Sequence, residues 1–91
     1  MFSIVIPLYN KEKYIVKTLK SVLSQSFKEF EIIVVNDGST DKSVDLVNGL
    51  NDTRIRLIHQ INQGVSVARN RGIQESSFDW IAFWMQMIDG E

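Results

Sequence analysis

Asp37 has the type and the position of a residue that binds a polar ligand. It follows the apolar run EIIVV and precedes Gly38, so its carboxylate falls where a predicted strand gives way to a loop. A carboxylate there can accept hydrogen bonds from a base N–H or from ribose hydroxyls. The structural alternative is that Asp37 only caps the turn and that Asp41 only favours the N-terminus of the next helix.

Two further side chains are suited to a nucleotide. Arg69 falls near the start of a predicted helix, where a guanidinium can bind a diphosphate through two hydrogen bonds. Tyr9 follows the first predicted strand and can stack on a base. For Tyr9 the structural alternative is a ring that only covers the end of the sheet. For Arg69 it is a solvated surface charge, which is also the favoured interpretation of the nearby Arg71.

Several familiar kinds of site are missing from the sequence. No G-x-G-x-x-G follows the first strand, which argues against a common nicotinamide or flavin site, and no phosphate-binding G-x-x-x-x-G-K-[ST] loop occurs. The chain has no cysteine, so disulfides and thiolate metal sites are excluded. His59, the one histidine, is interpreted as a residue of the sheet edge because no second His accompanies it.

The composition is that of one small globular domain. Its 91 residues are 44% hydrophobic and 23% charged, with a net charge of -1. Without a basic excess, nucleic acid is not an expected partner. The apolar run 2–6, closed by Pro7, is too short for a signal sequence or a membrane span. A cytoplasmic location is therefore the expectation, and attachment to a membrane through sequence outside this chain is left open.

Apolar runs that alternate with helical periodicity predict the elements that position these residues. The runs 2–6, 31–35, 54–59 and 80–85 predict strands, with 54–59 nearer a sheet edge, and amphipathic segments between them predict helices. Asn10 and Thr40 are the predicted N-caps of the first two helices. The order β-α-β-α-β-α-β predicts an α/β fold: a Rossmann-like parallel sheet of about four strands with three helices.

This topology predicts where a ligand binds. In open α/β sheets, ligands bind outside the carboxyl ends of the strands. Pro7 and Tyr9 follow the first strand, Asp37 follows the second, and Gly64 and Arg69 follow the third. These residues are therefore expected to gather at one edge of the sheet.

Three motifs together resemble the opening of the family-2 glycosyltransferases, which have the GT-A fold. They are P-x-Y-N, V-N-D-G-S-T-D and N-x-G-x-x-x-A-R-N-x-G, and the resemblance runs from Phe2 to about Phe83. It implies transfer of a sugar from a nucleotide-diphospho-sugar, a UDP-sugar above all, to an acceptor hydroxyl with inversion, as in polysaccharide biosynthesis. It also implies that Pro7, Tyr9 and Asp37 surround the base and ribose, and that Gly64 and Arg69 lie by the base and diphosphate.

The resemblance raises a question about the metal. In this family the fourth strand runs into a D-x-D motif that holds Mg²⁺ or Mn²⁺, and the matching positions here carry Met85, Gln86 and Met87. Because these ions prefer hard oxygen ligands to thioethers, the chain is not expected to bind a metal. Asp89 and Glu91 are the alternative ligands, which a slide of the strand by two residues brings into register.

Members of the family continue well beyond the length of this chain. Residues 1–91 are therefore expected to be a single, partial and truncated donor-binding domain, without a catalytic residue and with little or no activity alone. The alternatives are a non-catalytic nucleotide-binding module and a self-associating α/β module. Because the run WIAFWM is predicted to lie at a sheet edge, a homodimer or larger assembly through residues 80–88 is expected.

Overall fold

The computed structural model describes residues 2–25, 29–78 and 81–83 of the chain. They form an alternating series of strands and helices, as the sequence predicts. The elements are β1 (Phe2–Leu8), α1 (Ile15–Leu23), β2 (Phe30–Asp37), α2 (Ser43–Leu50), β3 (Ile55–Gln60), α3 (Val65–Glu75) and β4 (Ile81–Phe83).

The strands form one parallel sheet in the order β3-β2-β1-β4. The α/β class is therefore confirmed. The order also places β3 at an edge and β4 beside β1, where Ala82 pairs with Ile4. The two central strands are the most apolar because helices cover both of their faces.

The first face of the sheet packs against α1 and α2. Alternate residues of β1 and β2 point to this face, and the helices contribute one apolar stripe each. The buried cluster consists of Ile4, Ile6, Leu8, Ile15, Leu19, Val22, Phe30, Ile32, Val34 and Val47. This cluster is the larger of the two that the described residues form.

The second face packs against α3 through small residues. Ala68 lies against Ile33 and Val35. Gly72, one turn later, comes so close to β1 that a Cβ atom there would collide with Val5 Cγ1. This contact fixes α3, and with it the loop that precedes α3, against the centre of the sheet.

Two predicted helix starts are wrong. α1 begins at Ile15 rather than just after Asn10, and α2 begins at Ser43 rather than just after Thr40. Asn10 instead has a left-handed backbone, with φ of 49°. The N-cap residue of α2 is Lys42, and Asp41 just before it accepts a hydrogen bond through Oδ1 from the Ser43 N–H at 2.9 Å.

Candidate functional site

The loops at the carboxyl ends of β1, β2 and β3 form a continuous polar surface. We call it the carboxyl-end rim and define it as residues 9–12, 37–43 and 60–64. It joins the predicted positions Tyr9, Asp37 and Gly64 at the edge of the sheet where open α/β folds bind ligands.

Asp37 is the centre of the rim. Its Oδ1 accepts hydrogen bonds from Gln60 Nε2 at 2.9 Å and from the Gln63 N–H at 2.7 Å. Its Oδ2 accepts one from the Gly64 N–H at 3.0 Å and a longer one from Asn62 Nδ2 at 3.4 Å. The carboxylate therefore anchors the whole loop between β3 and α3.

The electrostatic state of Asp37 follows from these contacts. Burial acts to raise the pKa of its carboxyl, but the hydrogen bonds from Gln60, Gln63 and Gly64 outweigh it, and the pKa lies below its ordinary value. The donors to Asp37 that come from the described residues are all neutral amides, so within this part of the chain its negative charge is stabilised by hydrogen bonds and not by an ion pair. Asp37 is thus an ionised hydrogen-bond acceptor at neutral pH.

Glycines give the rim its backbone shape. Gly64 has φ of 98°, and this conformation turns its N–H toward Asp37 beside the N–H of Gln63, as in other backbone concavities that bind anions. Gly38 has φ of 77°, and a Cβ atom there would lie 2.9 Å from the Asn62 backbone nitrogen. The loops after β2 and β3 therefore pack tightly against each other.

The loops after β1 and β2 are joined as well, through contacts that sequence reasoning missed. Asn10 Oδ1 accepts a hydrogen bond from the Thr40 N–H at 2.8 Å, and Asp41 Oδ2 accepts one from the Glu12 N–H at 3.1 Å. The motif P-x-Y-N contains the signal, because Asn is one of the few residues that adopt a left-handed backbone readily. Its partner lies 30 residues away, however, and no local pattern reveals it.

The remaining predicted residues differ in how they are held. Tyr9 is 47% exposed immediately after β1, and Pro7 is partly buried in β1 beside Val35 of β2. Arg69 is partly buried in the second turn of α3. Arg71 pairs with Glu75 at 3.5 Å along the outside of the helix, in agreement with a structural rather than a functional role.

His59 also has a structural contact. Its Nδ1 lies 3.0 Å from Asn36 Nδ2, and the two residues are direct neighbours in the pairing of β2 with β3. Asn36 Oδ1 in turn accepts a hydrogen bond from the Ser39 N–H at 3.0 Å, and this bond closes the turn after β2. His59 is thus a residue of the sheet edge, as expected.

The described residues do not fit a divalent cation. In residues 2–25, 29–78 and 81–83 no three His, Cys, Asp or Glu side chains come together as metal ligands would. The positions on which the metal question depends, Met85, Met87, Asp89 and Glu91, lie outside the described residues, as does most of the predicted interface 80–88. Within the described part of the chain, none of the helices has the length and apolar character of a membrane span.

Comparison with known proteins assigns a family to this arrangement. The sequence pattern described as "Glycosyl transferase family 2" matches residues 3–84. The uncharacterized glycosyltransferase YibD of Escherichia coli (strain K12) is 43% identical over 83 residues, which cover 89% of this chain and 24% of YibD. EpsJ of Bacillus subtilis (strain 168), also an uncharacterized glycosyltransferase, is 41% identical over 93 residues, which cover 100% of this chain and 26% of EpsJ.

Solved structures agree with the sequence relatives. S. aureus TarS 1-349, determined alone and in complex with UDP, has a TM-score of 0.85 and 32% identity, over 92% of this chain and 26% of TarS 1-349. A mannosyltransferase of Pyrobaculum calidifontis, in complex with GDP-Man and Mn²⁺, shares the fold with a TM-score of 0.73 at 21% identity. The chain spans about a quarter of the length of these proteins. It belongs to glycosyl transferase family 2 and has the architecture of the nucleotide-binding part of a GT-A enzyme.

Proposed function

We propose that the carboxyl-end rim binds the nucleoside diphosphate of a UDP-sugar. In this proposal the chain is the donor-binding part of an enzyme that transfers the sugar to an acceptor hydroxyl with inversion. The observation that carries the proposal is the ionised Asp37 carboxylate, held at the rim by neutral donors from Gln60, Gln63 and Gly64. The complex of UDP with TarS, to which the chain is similar, supports uracil as the base.

One acceptor position of Asp37 suits a base N–H. A carboxylate offers about four lone-pair positions. Three short hydrogen bonds use two positions on Oδ1 and one on Oδ2, while the fourth contact, from Asn62 Nδ2, is long at 3.4 Å. Asn62 Nδ2 also donates to the Asp37 backbone carbonyl at 3.0 Å, so a ligand N–H can take over the Oδ2 position without leaving Asn62 unpaired.

This acceptor distinguishes between pyrimidine bases. An ionised carboxylate accepts hydrogen bonds and cannot donate them. Uracil presents an imide N–H at N3, whereas cytosine presents an acceptor at the same atom, which would face the negative oxygen of Asp37. The rim is therefore expected to favour UDP over CDP.

Other rim residues complete the proposed donor site. The exposed ring of Tyr9 is available to stack on the base. Pro7, near the end of β1, is assigned to the same base side of the site. Gly64 lacks a side chain, and nothing lies within 4 Å of the place where its Cβ would be, so a ligand can approach the backbone closely. Arg69 is assigned to the diphosphate, which its guanidinium suits in geometry and charge.

The chain's own residues bind and orient the donor in this proposal. An inverting transfer also requires a base that removes the proton of the acceptor hydroxyl, and we assign no described residue to that step. We therefore propose that residues 1–91 are part of a larger domain, with little or no transferase activity by themselves.

The metal is expected to contribute little in this chain. With Met85 and Met87 in place of the family's carboxylates, we expect a Kd for UDP nearer 1 mM than 1 μM, which is a difference of about 4 kcal/mol. Manganese should change this affinity by less than tenfold. A larger gain that disappears when Asp89 and Glu91 are both changed to asparagine would identify those two residues as ligands.

The decisive experiment is a matched pair of substitutions on β2. Asp37→Asn and Glu31→Gln each change a hydrogen-bonded carboxylate into an amide, at the carboxyl and amino ends of the same strand. Titration with UDP, followed by NMR, should show at least a tenfold loss of affinity in Asp37→Asn and less than a twofold change in Glu31→Gln. Equal affinities in both variants would remove Asp37 from the site.

Self-association is a second property that we propose. In the described sheet β4 is an edge strand, and edge strands can pair with a second chain. We propose a twofold dimer through residues 80–88, in which two sheets join along β4. Sedimentation of the wild type and of Ala82→Pro at micromolar concentration tests this, because proline removes a backbone donor from the edge; a monomeric wild type would contradict it.

A further inference from the structure

We propose that Asn10 is a positioning residue for the nucleobase. It locks the loop that carries Tyr9 to the loop that begins at Asp37, and so sets the distance between the proposed stacking ring and the proposed base acceptor. This inference rests on the proposed function, because it concerns the same nucleotide site.

Asn10 joins the two loops through both its side chain and its backbone. Its Oδ1 accepts hydrogen bonds from the Thr40 N–H at 2.8 Å and from the Asp41 N–H at 3.3 Å, and its Nδ2 lies 3.4 Å from Thr40 Oγ1. The Asn10 N–H donates to Ser39 Oγ at 3.0 Å. Asn10 thus contacts three consecutive residues of the opposite loop, Thr40 and Asp41 through its side chain and Ser39 through its backbone N–H.

A second row of hydrogen bonds extends the connection toward the helices. The Lys11 N–H donates to Ser43 Oγ at 2.8 Å, and the Glu12 N–H donates to Asp41 Oδ2 at 3.1 Å. In the opposite direction, the Lys42 N–H donates to Glu12 Oε1 at 2.9 Å. We call the contacts of residues 10–12 with residues 39–43 the clasp.

The identity of Asn10 follows from its conformation. Its φ of 49° is left-handed, which most residues adopt only at a cost of about 1–2 kcal/mol, while glycine and, more readily than most, asparagine or aspartate tolerate it. Glycine would keep this backbone but lose the side-chain contacts. Substitution by glycine therefore removes the side-chain contacts of the clasp while it still permits the left-handed backbone at this position.

The clasp acts on the base side of the rim. Tyr9 immediately precedes Asn10 and is 47% exposed, so packing does not hold its ring and the backbone at Asn10 sets its place. Asp37 lies two residues before Ser39, a partner in the clasp. Arg69, assigned to the diphosphate, belongs to α3, which the clasp does not contact. Loss of the clasp should therefore weaken binding of the base and spare binding of the diphosphate.

The test compares Asn10→Gly with a control at the opposite end of the sheet. Asp52→Ala removes an acceptor of the Arg54 N–H at 2.8 Å near the start of β3, so both variants lose a side chain that caps a backbone N–H. Each is titrated by NMR with UDP and with inorganic pyrophosphate, and its thermal unfolding is recorded. Asn10→Gly is expected to bind UDP about tenfold more weakly and pyrophosphate unchanged, whereas Asp52→Ala binds both as the wild type does.

Two further variants keep the test decisive. Asn10→Asp retains an acceptor for the Thr40 and Asp41 N–H groups and should bind UDP within about threefold of the wild type. If Asn10→Gly does not fold, Ser39→Ala is the substitute, because it removes only the contact with the Asn10 N–H. It should still weaken the binding of UDP and leave the binding of pyrophosphate unchanged.

The contrary outcomes are distinct. Equal UDP affinity in the wild type and Asn10→Gly would overturn this inference alone. Equal losses for UDP and pyrophosphate would overturn it too, because they would show general damage to the fold. A wild type that binds no UDP would defeat the proposed function and this inference with it.

Discussion

Two carboxylates on one face of β2 have different surroundings. Glu31 and Asp37 are six residues apart, so both point to the α3 side of the sheet and their Cα atoms are about 20 Å apart along the strand. Glu31 accepts hydrogen bonds from Ser3 Oγ at 2.6 Å and from the Ser77 N–H at 2.8 Å, and Arg56 lies 3.3 Å from it as a cation. Among the described residues, the donors to Asp37 are neutral amides.

This difference is the physical basis on which we assign Glu31 a structural role and propose Asp37 as a ligand-binding carboxylate. The charge of Glu31 is compensated by Arg56, which also donates to the Glu75 carbonyl at 2.7 Å and so ties α3 to the sheet. Within the described residues the charge of Asp37 is solvated by neutral amides, which is the setting in which we propose that it accepts a further donor from a ligand. Both side chains hold a loop, but among the described residues Glu31 does so beside a cation, whereas the donors to Asp37 are neutral amides.

The described residues at the two ends of the sheet also differ in their ion pairs, although both ends contain left-handed backbone. Asn10, Gly38 and Gly64 have left-handed conformations in the loops of the carboxyl-end rim. At the amino end, Arg54–Asp52, Arg56–Glu31 and Arg56–Glu75 form ion pairs at 3.1–3.4 Å. At the amino end Asn51, directly before Asp52, also has a left-handed backbone, with φ of 54°, so the two ends differ in their charge pairs rather than in their backbone.

The largest expected effect comes from the contact that supports both ends. Gly72→Ala forces a methyl group against Val5 and should lower the free energy of unfolding by about 2–3 kcal/mol. Gly49→Ala is the matched control, because nothing lies within 4 Å of that position and alanine favours the helix by up to about 1 kcal/mol. Urea unfolding measures both. A Gly72→Ala chain as stable as the wild type would show that α3 can move away from β1 at little cost.

Gly38→Ala should damage the rim selectively. Alanine at φ of 77° costs about 1–2 kcal/mol, and its Cβ would press on the Asn62 backbone 2.9 Å away. We expect a lower free energy of unfolding together with weaker UDP binding, since Asn62 belongs to the loop that Asp37 holds. Loss of stability with unchanged UDP affinity would separate the turn after β2 from the nucleotide site.

The pH dependence of stability should involve both ends. Burial acts to raise the pKa values of Glu31 and Asp37, but their hydrogen bonds outweigh it and hold each pKa below the ordinary values of 4.5 and 3.8. As the pH falls below those values, the unfolded chain takes up protons first, so stability is full above them and is lost as the pH falls through the folded pKa values. Urea unfolding between pH 6 and 3 should show this decline, and Glu31→Gln should make it shallower. A decline equally steep in Glu31→Gln would mean that Glu31 does not contribute.

The smallest effect should come from the ion pairs. Arg56 is 40% exposed, so Arg56→Ala should cost only about 0.5–1 kcal/mol, and less in high salt. UDP affinity should not change. A change in UDP affinity above twofold would mean that the two ends of the sheet are coupled, which would contradict the contrast drawn between Glu31 and Asp37.

The sequence predicts the fold well because the apolar runs are short, regular and separated by helical periodicity. The alternation of Arg54 and Arg56 with apolar residues also predicts that β3 lies at an edge of the sheet. The rule that ligands bind outside the carboxyl ends of the strands predicts the location of the candidate site. The sequence does not predict the clasp, and Asn10 is misinterpreted as a helix cap, because its partners lie about 30 residues away. For Asp37 the two roles stay open in the sequence, since the donors from Gln60 to Gly64 come together only in the tertiary structure.

Mapping of UDP onto the chain by NMR tests the central claim most directly. In a sample labelled with ¹⁵N, addition of UDP should shift the backbone amide signals of Asp37, Gly38 and Gly64 at the carboxyl-end rim. The amides of Glu31, Arg56 and Ser77 at the amino end should stay in place. Shifts centred on the amino end, or no shifts at millimolar UDP, would contradict the assignment of the rim as the nucleotide site.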